Sequence, residues 1–506
     1  MVLEESPAPE VVLMSQAPVF SQPARPGNPY GSATDQPVAG QTHPSAWGGL
    51  DRGTLAAGLK LRRQRLAEQI DGPVILWSGK SQPRNFAANT YPFRPSSHFL
   101  YFAGFPLENA AIYLEAGKLE LFMDNPAPED EIWHGPSADR DQIAAWMGAD
   151  AAFPLAELEE QADGAATLPV QGSEILHQQQ AILGRSLPAG ANLQGMDLVL
   201  AQAIVQLRLH HDALALEQLR WAGQVTMQAH RAGMAATGQA RTEATVRAAM
   251  EKVLIAQNFT TAYNSIVTIQ GEVLHNQQYH HELQPGDLLL ADLGGETPWG
   301  WAADITRTWP VSGRFSPGQQ AIYEVVRSAH DTAIAALKPG VEYRQIHLQA
   351  AEVIAAGLVD LGILNGDPQT LVERDVQALF FPHGIGHLLG LDVHDMEDLG
   401  DLAGYATGRH RSDRFGLCYL RLDRPLQAGM VVTIEPGFYQ IPGLLQDKHR
   451  REQYRDAVNW ERLAQFADVR GIRIEDDVLI TETGAEILTA DLPTEPAAIE
   501  ALVQHT

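Results

Sequence analysis

Several acidic residues sit where a folded chain can least easily hold them, inside apolar, strand-like runs. In PGDLLLADLGG a period of two puts Leu288, Leu290 and Asp292 on one face, so Asp292 points the way the buried leucines point. In WAADITRTWP, Asp304 opens a run of β-branched residues and shares a face with Thr306 and Thr308. MVVTIEPG carries Val431, Thr433 and Glu435 on one face and stops at Pro436 and Gly437; GIRIEDDVLIT carries Arg473, Glu475 and Asp477 on one face. A lone carboxylate in such a strand is costly to bury, so the pattern asks for a cation. FFPHGIGHLLGLDVHD adds His383, His387 and His394. One histidine is commonly a structural hydrogen-bonder, but three in so short a segment, beside unpaired strand acids, favour metal ligation.

Other chemistries fit less well. His383 and His387 have the spacing of an HExxH zinc helix, yet Gly384 and Gly386 remove the glutamate and disfavour the helix. WSGKS resembles the end of a phosphate loop, but Val74 stands where the first glycine is needed. Gly384, Gly386 and Gly390 approximate a dinucleotide fingerprint with too long a last interval and no βαβ unit around it. No GxSxG elbow is present. Cys418 is the single cysteine, which excludes an intrachain disulfide and cysteine-based zinc modules. Any metal is then held by oxygen and imidazole. The adjacent pairs His210/His211 and His280/His281 are expected at the surface.

The elements that must position these groups fall into two regions. Residues 1 to 50 are rich in Pro, Gly, Ser, Gln and Ala and are expected to form a disordered tail, having little to bury against their ordering entropy. From residue 54 to 207, LAAGLKLRRQRLAEQI has helical spacing, GPVILWSG reads as a buried strand, and AAIYLEAGKLELFMD reads as two strands around Gly117, which predicts an α/β domain. From 212 to 490, two long helical stretches precede strands and turns. Residues 440 to 470 are polar, helical in composition and flanked by strands, as an insertion would be. The strands of Asp292 and Asp304 can form a hairpin that brings both carboxylates together.

With 506 residues, 45% hydrophobic and 19% charged, the chain has the composition of a globular protein of two domains, and it lacks the apolar run of roughly 18 residues that a membrane span needs. Lys and Arg total 36 against 62 Asp and Glu, a formal charge of -26, which argues against a nucleic-acid partner. An acidic N-terminus without a long apolar core predicts a cytoplasmic protein.

DLG followed by DITRTWPV, then HGIGHLLGLDVHD, TIEPGFY and GIRIEDD, resembles the ordered motifs of the aminopeptidase P and prolidase family. NTYPFRPSSHFLYFAGF and EIWHG look like that family's N-terminal domain, although Leu100 stands where some aminopeptidase P relatives carry tryptophan. The resemblance implies a pita-bread catalytic domain of mixed α/β (α+β) class, in which two pseudo-symmetric halves face each other across a metal cleft. It implies five metal ligands, Asp292, Asp304, His387, Glu435 and Glu475. Four carboxylates carry a charge of about -4, which two divalent ions neutralise. Oxygen-rich ligation suits Mn²⁺, with Co²⁺ or Zn²⁺ as alternatives.

The implied activity is hydrolysis of the bond before proline in peptides, by a hydroxide that bridges the two metals. Glu435 is implied as proton carrier, and His275, His383 and His394 as substrate-binding groups that stabilise the reacting peptide. Arg473 can hold carboxylates or substrate, and Arg421, in strand-like LCYLRLDR, is a candidate for a substrate carboxylate. A homo-oligomer, dimer or tetramer, is expected. The long 440 to 470 segment is more like prolidases, so a strict Xaa-Pro dipeptidase is the alternative to an aminopeptidase. A methionine aminopeptidase fits less well because of the large N-terminal domain, and a pita-bread module that binds peptides without cutting them is disfavoured because all five ligands are present.

Overall fold

The computed structural model describes residues 52–188 and 192–504, so the expected tail lies outside the described residues. Helix α1 (Arg52–Ala67) buries Leu55, Leu59 and Leu66, which helical spacing puts on one face. Strand β1 (Val74–Trp77) is buried throughout, as its unbroken apolar run dictates. Strands β2 (Ala111–Glu115) and β3 (Lys118–Phe122) form a hairpin, and β4 (Ala151–Phe153) and β5 (Ala166–Thr167) complete a sheet ordered β4-β3-β2-β1-β5. Helices α2 (Ser97–Ala103) and α3 (Gly195–Arg208) pack beside α1. Leu100 is buried on α2 and packs against Gly300 of the second unit.

The second unit runs one plan twice. Helices α4 (Ala213–Thr237) and α5 (Glu243–Ala256) pack on each other and on an antiparallel sheet of β6 (Ile266–Thr268), β7 (Leu288–Leu293) and β8 (Ile305–Pro310), ordered β8-β7-β6. Helices α6 (Pro317–Ala335) and α7 (Tyr343–Asp360) then pair in the same way. Their strands are β9 (Val431–Ile434), β10 (Gly437–Tyr439), β11 (Gly471–Arg473), β12 (Asp476–Ile480) and β13 (Ala485–Ile487). They form a β9-β12-β13 sheet and a β10-β11 ribbon. Each helix pair has a readable start. Asp212 caps α4 through the Ala215 amide, and Ser316 with Gln319 makes a reciprocal capping box before Pro317 on α6. Asp212 also receives two hydrogen bonds from the buried Arg62 guanidinium, at 2.7 and 2.8 Å, which ties the first unit to the second.

Three expectations are corrected. GIRIEDDVLIT is two strands rather than one: β11 pairs with β10, β12 pairs with β9, and between them the Glu475 amide turns to the Thr306 carbonyl at 3.0 Å. That bridge stitches the two halves together. LCYLRLDR is a turn in which Leu417, Leu420 and Leu422 are buried without a ladder, and Asp423 alone bridges to Tyr405. The 440 to 470 segment is helical as expected: it joins β10 to β11 through short helices, and its Leu445, Tyr454, Leu463 and Phe466 are buried. His210 and His211 are half-buried and bond the Ala428 and Leu389 carbonyls, and His281 bonds buried Glu243; His280 is exposed as expected.

Candidate metal centre

The β7–β8 pairing sets Asp292 opposite Thr306, with Asp304 just before β8, so the first half delivers two carboxylates side by side. The Tyr263 hydroxyl touches both Asp292 Oδ1 and Asp304 Oδ1 at short range. One phenol proton can serve only one of them. The second half delivers His387, Glu435 and Glu475. Asp304, His387 and Glu475 are buried, and their ligand atoms all lie within 4.8 Å of one another. His387 Nε2 is 3.5 Å from Asp304 Oδ2 and 3.8 Å from Glu435 Oε1. All five expected ligand positions therefore border one buried space at the seam of the two halves.

Local structure aims these groups. The His387 segment runs along β9, accepting the Thr433 amide at the His387 carbonyl (3.0 Å) and the Glu435 amide at the Ile385 carbonyl (2.8 Å). Gly386 is required by this approach: a Cβ there would lie 2.1 Å from the Thr433 carbonyl oxygen and 2.3 Å from the Tyr343 hydroxyl. His387 Nδ1 donates to the Leu388 carbonyl at 3.0 Å, which fixes the tautomer and leaves Nε2 free toward the acids. Thr306 Oγ1 donates to Glu475 Oε2 at 2.7 Å and accepts from Arg473 Nε at 3.0 Å. Arg473 also donates to Tyr439 at 2.9 Å and to Asp292 Oδ2, so it is a buried clamp on the cluster.

The cluster is electrostatically unsatisfied as it stands. Burial, then repulsion from Asp292, raises Asp304 to about 7. Burial raises Glu435 to about 8, with Asp304 and Asp292 adding to it against the relief from Arg473. Glu475 is raised well above the carboxylate range by burial and by Asp304, Glu435 and Asp292. His387 is pushed down to about 4, chiefly by burial, so it is a neutral imidazole. Hard oxygen donors, one neutral imidazole with its second nitrogen anchored, and surplus negative charge are what a divalent cation site requires. The residues fit the group.

A family model described as "Metallopeptidase family M24" matches residues 217–482, and one described as "Aminopeptidase P, N-terminal domain" matches residues 59–169. The chain belongs to the M24 metallopeptidases, in the aminopeptidase P and prolidase group. The M24 chain is 30% identical to human Xaa-Pro dipeptidase, over 92% of this chain and 97% of that one. It is 31% identical to Escherichia coli Xaa-Pro aminopeptidase, over 87% and 96%. It superposes on zinc-substituted E. coli aminopeptidase P in complex with product with a TM-score of 0.69 at 29% identity, over 90% and 98%. The two halves described above are the pita-bread fold of this family.

The remaining expected residues of the M24 site are placed unevenly. His383 sits against the cluster, its Nδ1 3.7 Å from Glu435 Oε2, donating to the Gly384 carbonyl while Nε2 accepts from the Tyr439 hydroxyl at 2.8 Å. The His394 ring meets the His387 ring edge-on with centroids 4.2 Å apart, and its Nδ1 bonds Glu397 Oε2 at 3.0 Å. Arg421 donates to the other oxygen of Glu397 at 2.5 Å rather than reaching the carboxylate cluster. His275 lies in an exposed turn at the edge, within the fields of Arg473, Asp292, Arg421 and His394. Sequence reading missed the roles of Tyr263, Tyr439, Glu397 and Asp477, the last of which accepts the Asp304 amide at 3.2 Å. Tyr439 is the last residue of TIEPGFY and could have been found there. Tyr263 directly precedes NSIV, in an irregular stretch with no periodic signal.

The segment that carries His394 is held from the first unit. Ser97 donates to Asp392 at 2.7 Å; Arg94 donates to the Leu391 carbonyl. Arg208 donates to Asp395 at 2.6 Å and Asp392 at 3.1 Å. Arg208 also approaches His98 Nδ1 at 3.0 Å, and His98 Nε2 donates to Asp398 at 2.9 Å. The FRPSSHF motif thus has a physical purpose: it fixes the loop that leads into the cleft.

Proposed function

We propose that this chain is a dinuclear Xaa-Pro aminopeptidase, releasing the N-terminal residue from peptides whose second residue is proline. The observation that carries the reading is the meeting of Asp292, Asp304, His387, Glu435 and Glu475 from two halves of the chain, with more negative charge than Arg473 can offset. In this reading those five hold two divalent ions, Mn²⁺ by the hardness of the oxygen donors, with Co²⁺ or Zn²⁺ as substitutes. The bound ions supply Lewis acidity at the scissile carbonyl and lower the pKa of the attacking water.

The chain's own groups do the rest. Glu435 takes the proton of the attacking water and passes it to the departing proline nitrogen, a role that suits a carboxylate held on the rim of the cluster. His383, anchored by Tyr439 and Gly384, and His394, anchored by Glu397, line the approach to the scissile peptide and stabilise its developing charge, and His275 at the edge meets the incoming chain. Arg473 keeps Asp292 and Tyr439 in register. The partners are proline-containing peptides, and the working protein is a homo-oligomer, dimer or tetramer.

A dipeptidase reading draws on the human relative and the long 440 to 470 segment. Turnover of Xaa-Pro against Xaa-Pro-Yaa by metal-loaded protein decides between them: the aminopeptidase reading requires the longer peptide to be cut with the higher kcat/KM. Absence of cleavage of both, with metals bound, would leave a peptide-binding module.

A further inference from the structure

We infer that Glu397 is a specificity-determining residue, a built-in carboxylate that occupies Arg421 and turns the cleft toward peptides continuing beyond proline. The inference rests on the Xaa-Pro hydrolase reading above and names the chemistry that its substrate presents on the far side of proline. In an Xaa-Pro dipeptide the group attached to the proline Cα is a carboxylate. In a longer peptide the same carbon is a neutral amide carbonyl. The two differ by one full charge within a few bonds of the scissile nitrogen, so whatever protein charge lies there sorts them.

Three arginines approach this side of the site, and their engagements differ. Arg473 is buried and committed to Asp292, Thr306 and Tyr439. Arg411 donates to Asp401 at 2.8 Å and to the Leu420 carbonyl at 3.2 Å. Arg421 donates to Glu397, whose other oxygen accepts from His394 Nδ1, and its side chain is 34% exposed against 37% for Glu397. The pair is therefore open to solvent and to a ligand, one hydrogen bond away from a histidine whose ring packs on His387.

Glu397 is aimed there by its surroundings. Met396, just before it, is buried yet has φ +61°, a left-handed conformation that a methionine rarely adopts, and the reversal carries Glu397 back beside His394. On either side Asp395 is bound by Arg208 and Asp398 by His98, so the first unit clamps the segment and Glu397 is presented from a fixed base.

With Glu397 in place the Arg421 pair has no net charge and suits a neutral amide. A substrate carboxylate gains Arg421 only by displacing Glu397 and approaching its charge. Removing the Glu397 charge frees the guanidinium for a carboxylate, a charge-assisted contact that changes relative affinity by about ten-fold or more.

The test compares kcat/KM for Ala-Pro and Ala-Pro-Ala in the metal-loaded protein, its E397Q and R421Q variants and the double variant, with metal content measured in each. The expected result is a rise of about ten-fold in the Ala-Pro to Ala-Pro-Ala ratio for Glu397→Gln, cancelled when Arg421→Gln is added. Loss of His394 support alone would lower both substrates together and leave the ratio unchanged, which overturns the inference, as does a shift that survives Arg421→Gln. Cleavage of Ala-Pro-Ala by the unaltered protein tests the functional reading separately, since it does not depend on the ratio.

Discussion

Two acidic clusters in this chain, linked through the segment from His387 to Asp398, behave in opposite ways. In the outer one, Asp392, Asp395 and Asp398 meet Arg94, Arg208 and His98. Burial works to raise Asp392, yet Arg94 and Arg208 bring it below the ordinary range; burial likewise opposes His98 and Arg208 at Asp398, which ends at about 2. In the inner one, Asp304 and Glu435 are raised to about 7 and about 8, because burial and neighbouring carboxylates outweigh Arg473. The contrast recurs between adjacent residues: Asp476, held by Arg307, is lowered against its burial, while Glu475 and Asp477 on either side are raised. Acids the chain matches with its own cations are structural. On the reading proposed above, the unmatched Asp304, Glu435 and Glu475 are held for cations from outside, while Asp477 is engaged by the Asp304 amide.

The contrast makes its largest prediction for chelation. Stripping metals should abolish peptidase turnover, with Mn²⁺ restoring it best, while circular dichroism shows the outer network still folded; full turnover in metal-free protein would break the comparison. Next, Asp304→Asn and His387→Ala should each lower turnover by more than about a hundred-fold together with metal content, whereas His394→Ala should lower it by about 10² to 10³ with both metals retained. If His394→Ala loses metal and His387→Ala keeps it, the two roles are reversed.

A third effect is on stability. Arg208→Met should destabilise the fold by about 3–5 kcal/mol, since it strands the buried Asp395, whereas Asp304→Asn should leave the metal-free melting temperature unchanged or higher. Equal losses in the two variants would show that the inner acids are also matched. The smallest effect is in pH. In metal-free protein the inner carboxylates hold protons that the unfolded chain releases above about pH 4, so their contribution is present at low pH and fades as pH rises through about 7 to 8. Asp398 runs the other way, contributing above the ordinary carboxylate range and losing its contribution as pH falls toward 2. Thermal melts with and without Mn²⁺ should show the upper slope in the metal-free sample alone.

The inner cluster was legible in the amino-acid sequence because strand periodicity exposes it: an Asp292 or Glu435 in phase with leucines and valines is an anomaly visible from neighbours alone. The hairpin that joins Asp292 to Asp304 followed from the same period. The outer cluster was not legible, since Asp395 looks like any loop acid until Arg208 arrives from far back in the chain. Tyr263 was hidden for the same reason, in an irregular segment with nothing in phase. The break between β11 and β12 escaped because each flank has strand character, and the turn of Glu475 toward Thr306 depends on a strand in the other half. Sequence pattern reports what a residue does to its own element, and contacts between elements have to be seen.

The seam has a consequence for biosynthesis. The candidate ligands run from Asp292 to Glu475, and Arg473, the clamp on Asp292, is almost as late as Glu475. At typical translation rates the first and last are separated by roughly ten to forty seconds of synthesis. During that interval the first half can fold around Tyr263 with its two carboxylates facing a partner that does not yet exist. On the reading proposed above, metal capture would wait for the last residues of the second half, and a nascent chain stalled before β11 would carry most of the candidate ligands without Arg473 and Glu475.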